Sequence, residues 1–189
     1  MIMALSQKNL PGRVLNKLKS FLKKEKDWQD IEHFDYNWES RVAQMAAYII
    51  EGKSVLDLGC GKMFLKKYLS GNPYFPVDYK NRGEGCIVND FNKHQFPEIA
   101  ADISFISGCL EYIKDYKWFI SCACRKSERI ILSYCTTDEF PEMAERKSLA
   151  WVNHLSSSAV INFFKENHFK LLTSELTKSN NSIFVFDRQ

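Results

Sequence analysis

Apolar runs alternate with segments whose apolar residues recur at helical spacing along most of this chain. The alternation predicts an α/β fold, a three-layer Rossmann-like sandwich with a mostly parallel seven-stranded sheet. In such a sheet the ligand lies at the carboxyl ends of the strands. The last two runs flank a polar turn and predict an antiparallel C-terminal hairpin. The predicted strands are 53–58, 74–79, 86–89, 102–107, 129–135, 169–175 and 182–187, and the predicted helices are 39–50, 62–69, 110–124 and 156–167.

The first part of the chain differs from the rest. Residues 13–24 place apolar side chains on one helical face and lysines elsewhere, which predicts a basic amphipathic helix. Residues 27–38 are rich in aromatic side chains. We therefore expect an extension over 1–38, with an aromatic lid or staple, and one domain over 39–189. The helix either packs on its own domain or makes a peripheral contact with an anionic membrane or a partner protein.

Composition places the protein in a broad class. Its 189 residues fit one domain with a sizeable core, and no apolar run has the length of a membrane span. The beginning of the chain shows no pattern of a secretory signal. Together with six scattered cysteines, this predicts buried thiols in a reducing cytoplasm and neither a disulfide framework nor a metal site.

The net charge of +3 is unevenly placed. Residues 1–30 carry seven Lys and Arg against three Asp and Glu, and the remaining residues carry 19 against 20. The main body therefore has no basic excess, and we expect no nucleic-acid partner.

The segment 55–61, Val-Leu-Asp-Leu-Gly-Cys-Gly, predicts a ligand site. A buried strand ends at Asp57, and Gly59 and Gly61 let the backbone turn sharply and approach a ligand closely. A helix that begins at this turn would direct its unpaired N–H groups to the same place. A purely structural turn remains the alternative.

Two further acids follow the next two predicted strands. Asp78 lies about 20 residues beyond the glycine turn, a spacing typical of a carboxylate that binds ribose hydroxyls. Asp90 and the backbone N–H of Phe91 would suit an adenine, and Ser107 ends the fourth strand beside them. These residues together predict a nucleoside pocket.

The turn does not match other nucleotide motifs. A dinucleotide fingerprint needs glycine at position 64, where this chain has Phe64. A P-loop needs Ser or Thr directly after Gly61-Lys62, where the chain has Met63. NAD, FAD and nucleoside triphosphates are therefore not the expected ligands.

The chain resembles the class I S-adenosylmethionine-dependent methyltransferases from about residue 40 to its end. The four segments that carry the resemblance are 55–61, Pro76-Val77-Asp78, Asn89-Asp90-Phe91-Asn92, and 102–113, a strand followed by Cys109-Leu110-Glu111-Tyr112.

The resemblance implies a role for each matching residue. The turn containing Gly59, Cys60 and Gly61 would approach the methionine part of S-adenosylmethionine, and Asp57 would hold its ammonium group. Asp78 would bind the ribose, and Asp90 with Phe91 the adenine. The chain departs from the family pattern at Met63 (usually glycine), at Tyr112 (frequently histidine) and in the shortened crossover after the second strand.

The acceptor side is less defined. His154 lies between the fifth strand and the last helix, and we hypothesise that it is a general base, with Tyr112 as a second candidate. Trp151 and Asn153 would shape the acceptor site, although Asn153 and His154 equally suit a lead into the helix cap. The expected function is O-methylation of a small molecule or glycan. The alternative is a non-catalytic protein that binds S-adenosylmethionine as a sensor or partner.

Overall fold

A computed structural model describes Gln29 and residues 37–189. The predicted helix 13–24 and nearly all of the aromatic stretch 27–38 lie outside these described residues. The described chain forms one seven-stranded sheet with the strand order β3-β2-β1-β4-β5-β7-β6. The strands are β1 Val55–Leu58, β2 Tyr74–Asp78, β3 Ile87–Val88, β4 Ile103–Ser107, β5 Arg129–Tyr134, β6 Phe169–Leu176 and β7 Ser182–Arg188.

The predicted α/β architecture is confirmed. Strands β1 to β5 pair in parallel, whereas β7 is antiparallel to both β5 and β6. The C-terminal hairpin therefore closes one edge of the sheet, as its alternating pattern predicts. The α-helices are α1 Asn37–Ala46, α2 Tyr116–Lys126, α3 Met143–Ser148 and α4 Ser157–Glu166.

Helices cover both faces of the sheet and give three layers. On one face α1 packs through Val42 and Met45 onto Val55, Phe105 and other inward residues of the strands. On the opposite face α2 and α4 bury a larger aromatic and aliphatic cluster. Successive residues of β1 point to opposite faces, so Asp57 lies on the same side as α1.

Local sequence signals explain where several elements begin and end. Ser156 caps α4 as predicted, because its Oγ accepts the N–H of Ala159 at 3.2 Å. The predicted helix 62–69 is only a 3-10 helix, Phe64–Tyr68. The predicted helix 110–124 is divided into a 3-10 helix, Leu110–Tyr112, and α2. The short helix α3 is absent from the sequence-based prediction.

Candidate functional site

The glycine turn after β1 is anchored to the neighbouring strand. Backbone N–H groups of Gly59 and Cys60 both donate to the carbonyl of Val77, at 2.8 and 3.0 Å. Gly59 has a φ of 85°, and a Cβ there would lie 2.6 Å from Sγ of Cys109. Glycine is therefore required at this position by both conformation and space.

Met63, where the resembled family usually has glycine, keeps a glycine-like conformation. Its φ of 53° lies in the left-handed region, and it immediately precedes the 3-10 helix Phe64–Tyr68. A side chain at this φ costs about 1–2 kcal/mol, so the turn tolerates Met63 at the expense of local strain.

Asp57 is a buried carboxyl group below the turn. It is 3 % exposed and accepts the hydroxyl of Tyr74 at 2.7 Å. Burial raises the pKa of Asp57 to about 7, the Tyr74 hydrogen bond opposes this rise, and the charge of Asp78 adds to it. A cation that entered beside Asp57 would favour the ionised carboxylate.

Asp78 is bound directly to the glycine turn. Its Oδ2 accepts the backbone N–H of Gly61 at 2.9 Å, and its Oδ1 lies 3.0 Å from Nε of Arg82 in a buried ion pair. The ion pair lacks the alignment of a hydrogen bond, since neither atom has a hydrogen-bond partner in the described part of the chain. The carboxylate predicted to bind ribose therefore lies between the turn and a guanidinium group.

An open pocket lies between the glycine turn and α1, and it encloses about 490 Å³ including the part open to solvent. Predicted site residues that line it are Asp57, Gly59, Cys60, Gly61 and Ser107. Further lining residues include Trp38, Arg41, Lys62, Phe64 and Gly108. The predicted cofactor residues Asp78, Asp90 and Phe91 are not among the lining residues.

Arg41 is a functional candidate that the sequence reasoning missed. It projects from α1, is only 8 % exposed, and donates to Oγ of Ser107 and to Oδ1 of Asn181, both at 3.2 Å. Its guanidinium group also lies against Gly108, where a Cβ would be 2.5 Å from Nη2. The only signal in the sequence is a charged residue directly before the inward-facing Val42.

The third acid has local partners of its own. Oδ1 of Asp90 accepts the N–H of Asn92 at 3.0 Å and caps a 3-10 helix, Phe91–Lys93, while Oδ2 lies 3.1 Å from Nζ of Lys93. The ring of Phe91 is buried in the core against Phe119. The proposed contact of Phe91 with adenine would use its backbone only, so burial of the ring does not conflict with it.

Asn153 is buried and makes several hydrogen bonds with its side chain. Its side chain is 6 % exposed, donates to the carbonyls of Leu110 and Ile113, and accepts the hydroxyl of Tyr134 at 2.7 Å. All of these contacts join the chain after β4 to the end of β5. Asn153 therefore holds these segments together, and its role in shaping the acceptor site stays a prediction.

His154 contacts a fully buried arginine that the sequence reasoning did not identify. Arg146 Nε donates to Nδ1 of His154 at 3.0 Å. Burial lowers the pKa of His154, and the charges of Arg146 and Lys147 lower it further. Since an arginine N–H can only donate, the neutral ring carries its proton on Nε2. This arrangement favours a hydrogen-bond donor at Nε2 over the predicted general base.

Arg146 also organises the loop that contains Trp151. Its Nη1 donates to the carbonyls of Thr136 and Phe140, at 3.2 and 3.0 Å, and its guanidinium carbon lies 4.9 Å from the centre of the Trp151 ring. Trp151 in turn packs edge-on against Phe140. The buried side chain of Arg146 thus holds in place the loop that contains Trp151, which we predict to form the acceptor side of the site.

Glu111 and Tyr112 lie in the 3-10 helix Leu110–Tyr112 that follows β4. Burial raises the pKa of both side chains. Oε1 of Glu111 accepts the N–H of Cys135 at 2.9 Å, whereas the buried Oε2 has no hydrogen-bond partner among the described residues. The charges of Arg41 and Arg146 oppose the rise in the pKa of Glu111. Glu111 therefore couples the two buried arginines electrostatically.

No group of three or more His, Cys, Asp or Glu side chains in Gln29 and 37–189 could hold a metal ion. Over the same residues, no helix combines the length and the apolar character that crossing a membrane requires.

No family model and no curated protein matches this sequence. Solved structures do match this chain.

Magnesium protoporphyrin IX methyltransferase from Synechocystis, with bound S-adenosylhomocysteine, is similar at a TM-score of 0.66 and 13 % identity, over 94 % of this chain and 95 % of that one. The 1,6-didemethyltoxoflavin-N1-methyltransferase of Burkholderia thailandensis has a TM-score of 0.62 and 14 % identity, over 97 % and 92 %. Mitomycin 7-O-methyltransferase has a TM-score of 0.65 and 14 % identity, over 94 % and 68 %.

These similarities identify the fold. The protein has the fold of the class I S-adenosylmethionine-dependent methyltransferases, which confirms the resemblance inferred from its four sequence segments. The similarity covers nearly the whole chain, including the C-terminal hairpin. At identities of 11–15 %, the similarity establishes the fold alone and not the chemistry of the site.

Proposed function

We propose that this protein binds S-adenosylmethionine at the glycine turn and transfers its methyl group to a small-molecule or glycan hydroxyl. One observation carries the proposal: a buried carboxyl group, Asp57, and a buried guanidinium group, Arg41, line the same pocket beside the turn. Opposite charges on one pocket match the ammonium and carboxylate groups of an amino-acid tail. The similar structures contain S-adenosylmethionine or S-adenosylhomocysteine, which agrees with this ligand.

The nucleoside part of the cofactor would bind beyond the turn. Asp78 would accept the ribose hydroxyls, and Asp90 with the N–H of Phe91 would bind the adenine. Because Gly61 holds Oδ2 of Asp78, the turn and the ribose acid are positioned as one unit. Arg82 has to share Asp78 with the ribose or leave it. Three different acids would thus bind the three parts of the cofactor: Asp57 the amino-acid tail, Asp78 the ribose and Asp90 the adenine.

Methyl transfer from a sulfonium is an in-line displacement, and orientation of the acceptor contributes most of the catalysis. Trp151 offers an apolar ring that is held by Arg146 and Phe140. His154 would donate from Nε2 to the acceptor oxygen and orient it, and Tyr112 remains a candidate for a proton acceptor. One similar structure is a methyltransferase of calicheamicin biosynthesis. Another is an O-methyltransferase of neocarzinostatin biosynthesis, solved with 2-hydroxy-5-methyl naphthoic acid. A small planar acceptor is therefore the first class to test.

A second candidate is a protein that binds S-adenosylmethionine without turnover. The hydrogen bond from Arg146 to His154 favours this candidate. Because Nδ1 of His154 already accepts the arginine N–H, it cannot take up a proton from a substrate hydroxyl. The two candidates differ in a single measurable step, which is methyl transfer.

Calorimetry with S-adenosylmethionine tests the first part of the proposal. We expect binding to the wild type and a loss of binding in Asp57→Asn, whereas Glu98→Gln, an exposed carboxylate elsewhere, should bind normally. Absence of binding to the wild type would reject the proposal.

Incubation with methyl-labelled cofactor and phenolic, sugar and extract fractions tests the second part. Label in a small-molecule fraction supports the enzyme, and a fivefold or greater loss of label in His154→Ala supports an orienting role for His154. Binding without transfer to any fraction would favour the non-catalytic candidate.

A further inference from the structure

A short segment between β2 and β3, residues 79–86, lies against the glycine turn. Three contacts join the segment to the turn or to Asp78, which the turn binds through Gly61. Arg82 pairs with Asp78 at 3.0 Å, and Sγ of Cys86 lies 3.9 Å from Sγ of Cys60. The side chain of Met63 reaches Gly83 closely enough that a Cβ at Gly83 would be 2.8 Å from its Cε. The 79–86 segment therefore covers the side of the turn that faces Asp78.

We propose that Cys60 and Cys86 form a reversible thiol–disulfide modification site that fastens the 79–86 segment to the glycine turn. Both residues are free thiols in the structure. The existence of the site rests on their geometry alone. Its effect on cofactor binding rests on the proposed function.

The two cysteines differ in how firmly their backbones are held. Cys60 donates its N–H to Val77 at 3.0 Å and belongs to the anchored turn. Cys86 directly precedes Ile87, the residue of β3 that is opposite Val77. A disulfide requires the two sulfurs to approach from 3.9 Å to about 2.05 Å. Since the turn is anchored to β2, we expect the approach to come from the 79–86 segment, where Cys86 donates its N–H to Gly83 of the same segment at 3.1 Å.

Exposure sets the order of the chemical steps. Cys86 is partly exposed, whereas Cys60 is buried and burial raises the pKa of its thiol. The thiolate of Cys86 attacks a small disulfide such as oxidised glutathione, forms a mixed disulfide and releases one thiol. Cys60 then loses its proton and attacks the sulfur of Cys86, which releases the second thiol. Two protein thiols are oxidised, one small disulfide is reduced to two thiols, and each departing sulfur gains a proton.

The bond would hold Arg82 where it pairs with Asp78. The ribose hydroxyls of the cofactor need the same carboxylate, so the fastened segment competes with them. We therefore expect the oxidised protein to bind S-adenosylmethionine at least tenfold more weakly, and reduction by dithiothreitol to restore the affinity. Removal of the Cys86 thiol should abolish the effect and leave the cofactor residues intact, since Cys86 does not line the pocket.

The experiment treats the full chain with oxidised glutathione and maps its disulfides after trypsin digestion. Cleavage after lysine and arginine separates Cys60 in 54–62, Cys86 in 83–93 and Cys109 in 94–114, so each pairing gives a distinct linked peptide. The variant Cys86→Ser and the control Cys122→Ser, on α2, are treated identically. Hydrogen exchange of residues 79–86 and the affinity for S-adenosylmethionine are measured before and after oxidation.

A linked peptide of 54–62 with 83–93, slower exchange of the segment and a reversible loss of affinity in all but Cys86→Ser would support the proposal. A link to Cys109 or the absence of a link would overturn it, as would a link without slower exchange. If the reduced protein binds no S-adenosylmethionine, the proposed function fails, and the link and the exchange rates alone still decide whether the site exists.

Discussion

Gly61 donates its backbone N–H to Oδ2 of Asp78 over 2.9 Å, so the turn after β1 and the acid at the end of β2 form one unit. Oδ1 of the same carboxylate faces Arg82. A ligand that binds Asp78 therefore contacts a carboxylate that Gly61 already holds in place and that already forms an ion pair with Arg82. The four predictions below test this arrangement and the turn that supports it.

Asp78→Asn should weaken S-adenosylmethionine binding by roughly 10- to 100-fold, because hydrogen bonds to a charged group contribute about 1.5–3 kcal/mol. The amide oxygen can still accept the N–H of Gly61, so the turn itself should persist. Calorimetry measures the affinity, and circular dichroism checks the fold. An unchanged affinity, equal to that of Glu98→Gln, would remove Asp78 from the cofactor site.

Arg82→Gln should strengthen S-adenosylmethionine binding about three- to tenfold, since the ribose hydroxyls no longer compete with a buried ion pair. The same change should lower the melting temperature of the ligand-free protein, because the buried charge of Asp78 loses its partner. Calorimetry and thermal unfolding measure the two effects. A weaker affinity would instead indicate that Arg82 binds the cofactor itself.

Asp57→Asn should stabilise the protein at pH 8 and abolish cofactor binding. Burial raises the pKa of Asp57 in the folded protein from 3.8 to about 7, so ionisation destabilises the native state progressively as the pH rises between these values. We therefore expect Asp57→Asn to raise the free energy of unfolding at pH 8 by at most about 4 kcal/mol.

Urea unfolding of the wild type and Asp57→Asn at pH 4 and pH 8 tests this sign. The stabilising effect should be small at pH 4, where Asp57 is protonated in the folded protein and about half protonated in the unfolded chain. A gain that is equally large at both pH values would show that packing, and not ionisation, is responsible.

Gly59→Ala should cost at least twice as much unfolding free energy as Gly71→Ala. Both glycines have positive φ, 85° and 69°, but a Cβ at Gly59 meets Sγ of Cys109 at 2.6 Å, whereas nothing lies within 4 Å of a Cβ at Gly71. Gly71→Ala therefore reports the conformational cost alone, about 1–2 kcal/mol.

Urea unfolding of Gly59→Ala, Gly71→Ala and the double variant Gly59→Ala with Cys109→Gly separates conformation from contact, because a Cβ at Gly59 would lie 2.7 Å from Cβ of Cys109 as well as close to its Sγ. The double variant should recover part of the loss. Equal losses in the two single variants would show that the close approach to Cys109 is not a constraint.

The sequence by itself determined the class of fold and the location of the ligand edge. Apolar runs and the helical spacing of apolar residues depend only on which side chains have to be buried, so they predicted the parallel sheet and the helix 156–167. The glycines at 59 and 61 marked the turn because glycine readily adopts the positive φ that a sharp turn requires. The acid at 57 marked a polar site because a carboxylate is rarely buried without a partner.

Only the tertiary structure decided which charged groups meet. Arg41 and Asp57 are 16 positions apart in sequence yet line one pocket, and Arg146 reaches His154 from a helix that no periodic pattern predicted. The partners of Asp78 and the proximity of Cys60 to Cys86 likewise depend on how three strands are placed side by side. Contacts of this kind arise from packing between distant segments, and a single sequence carries no local pattern that records them.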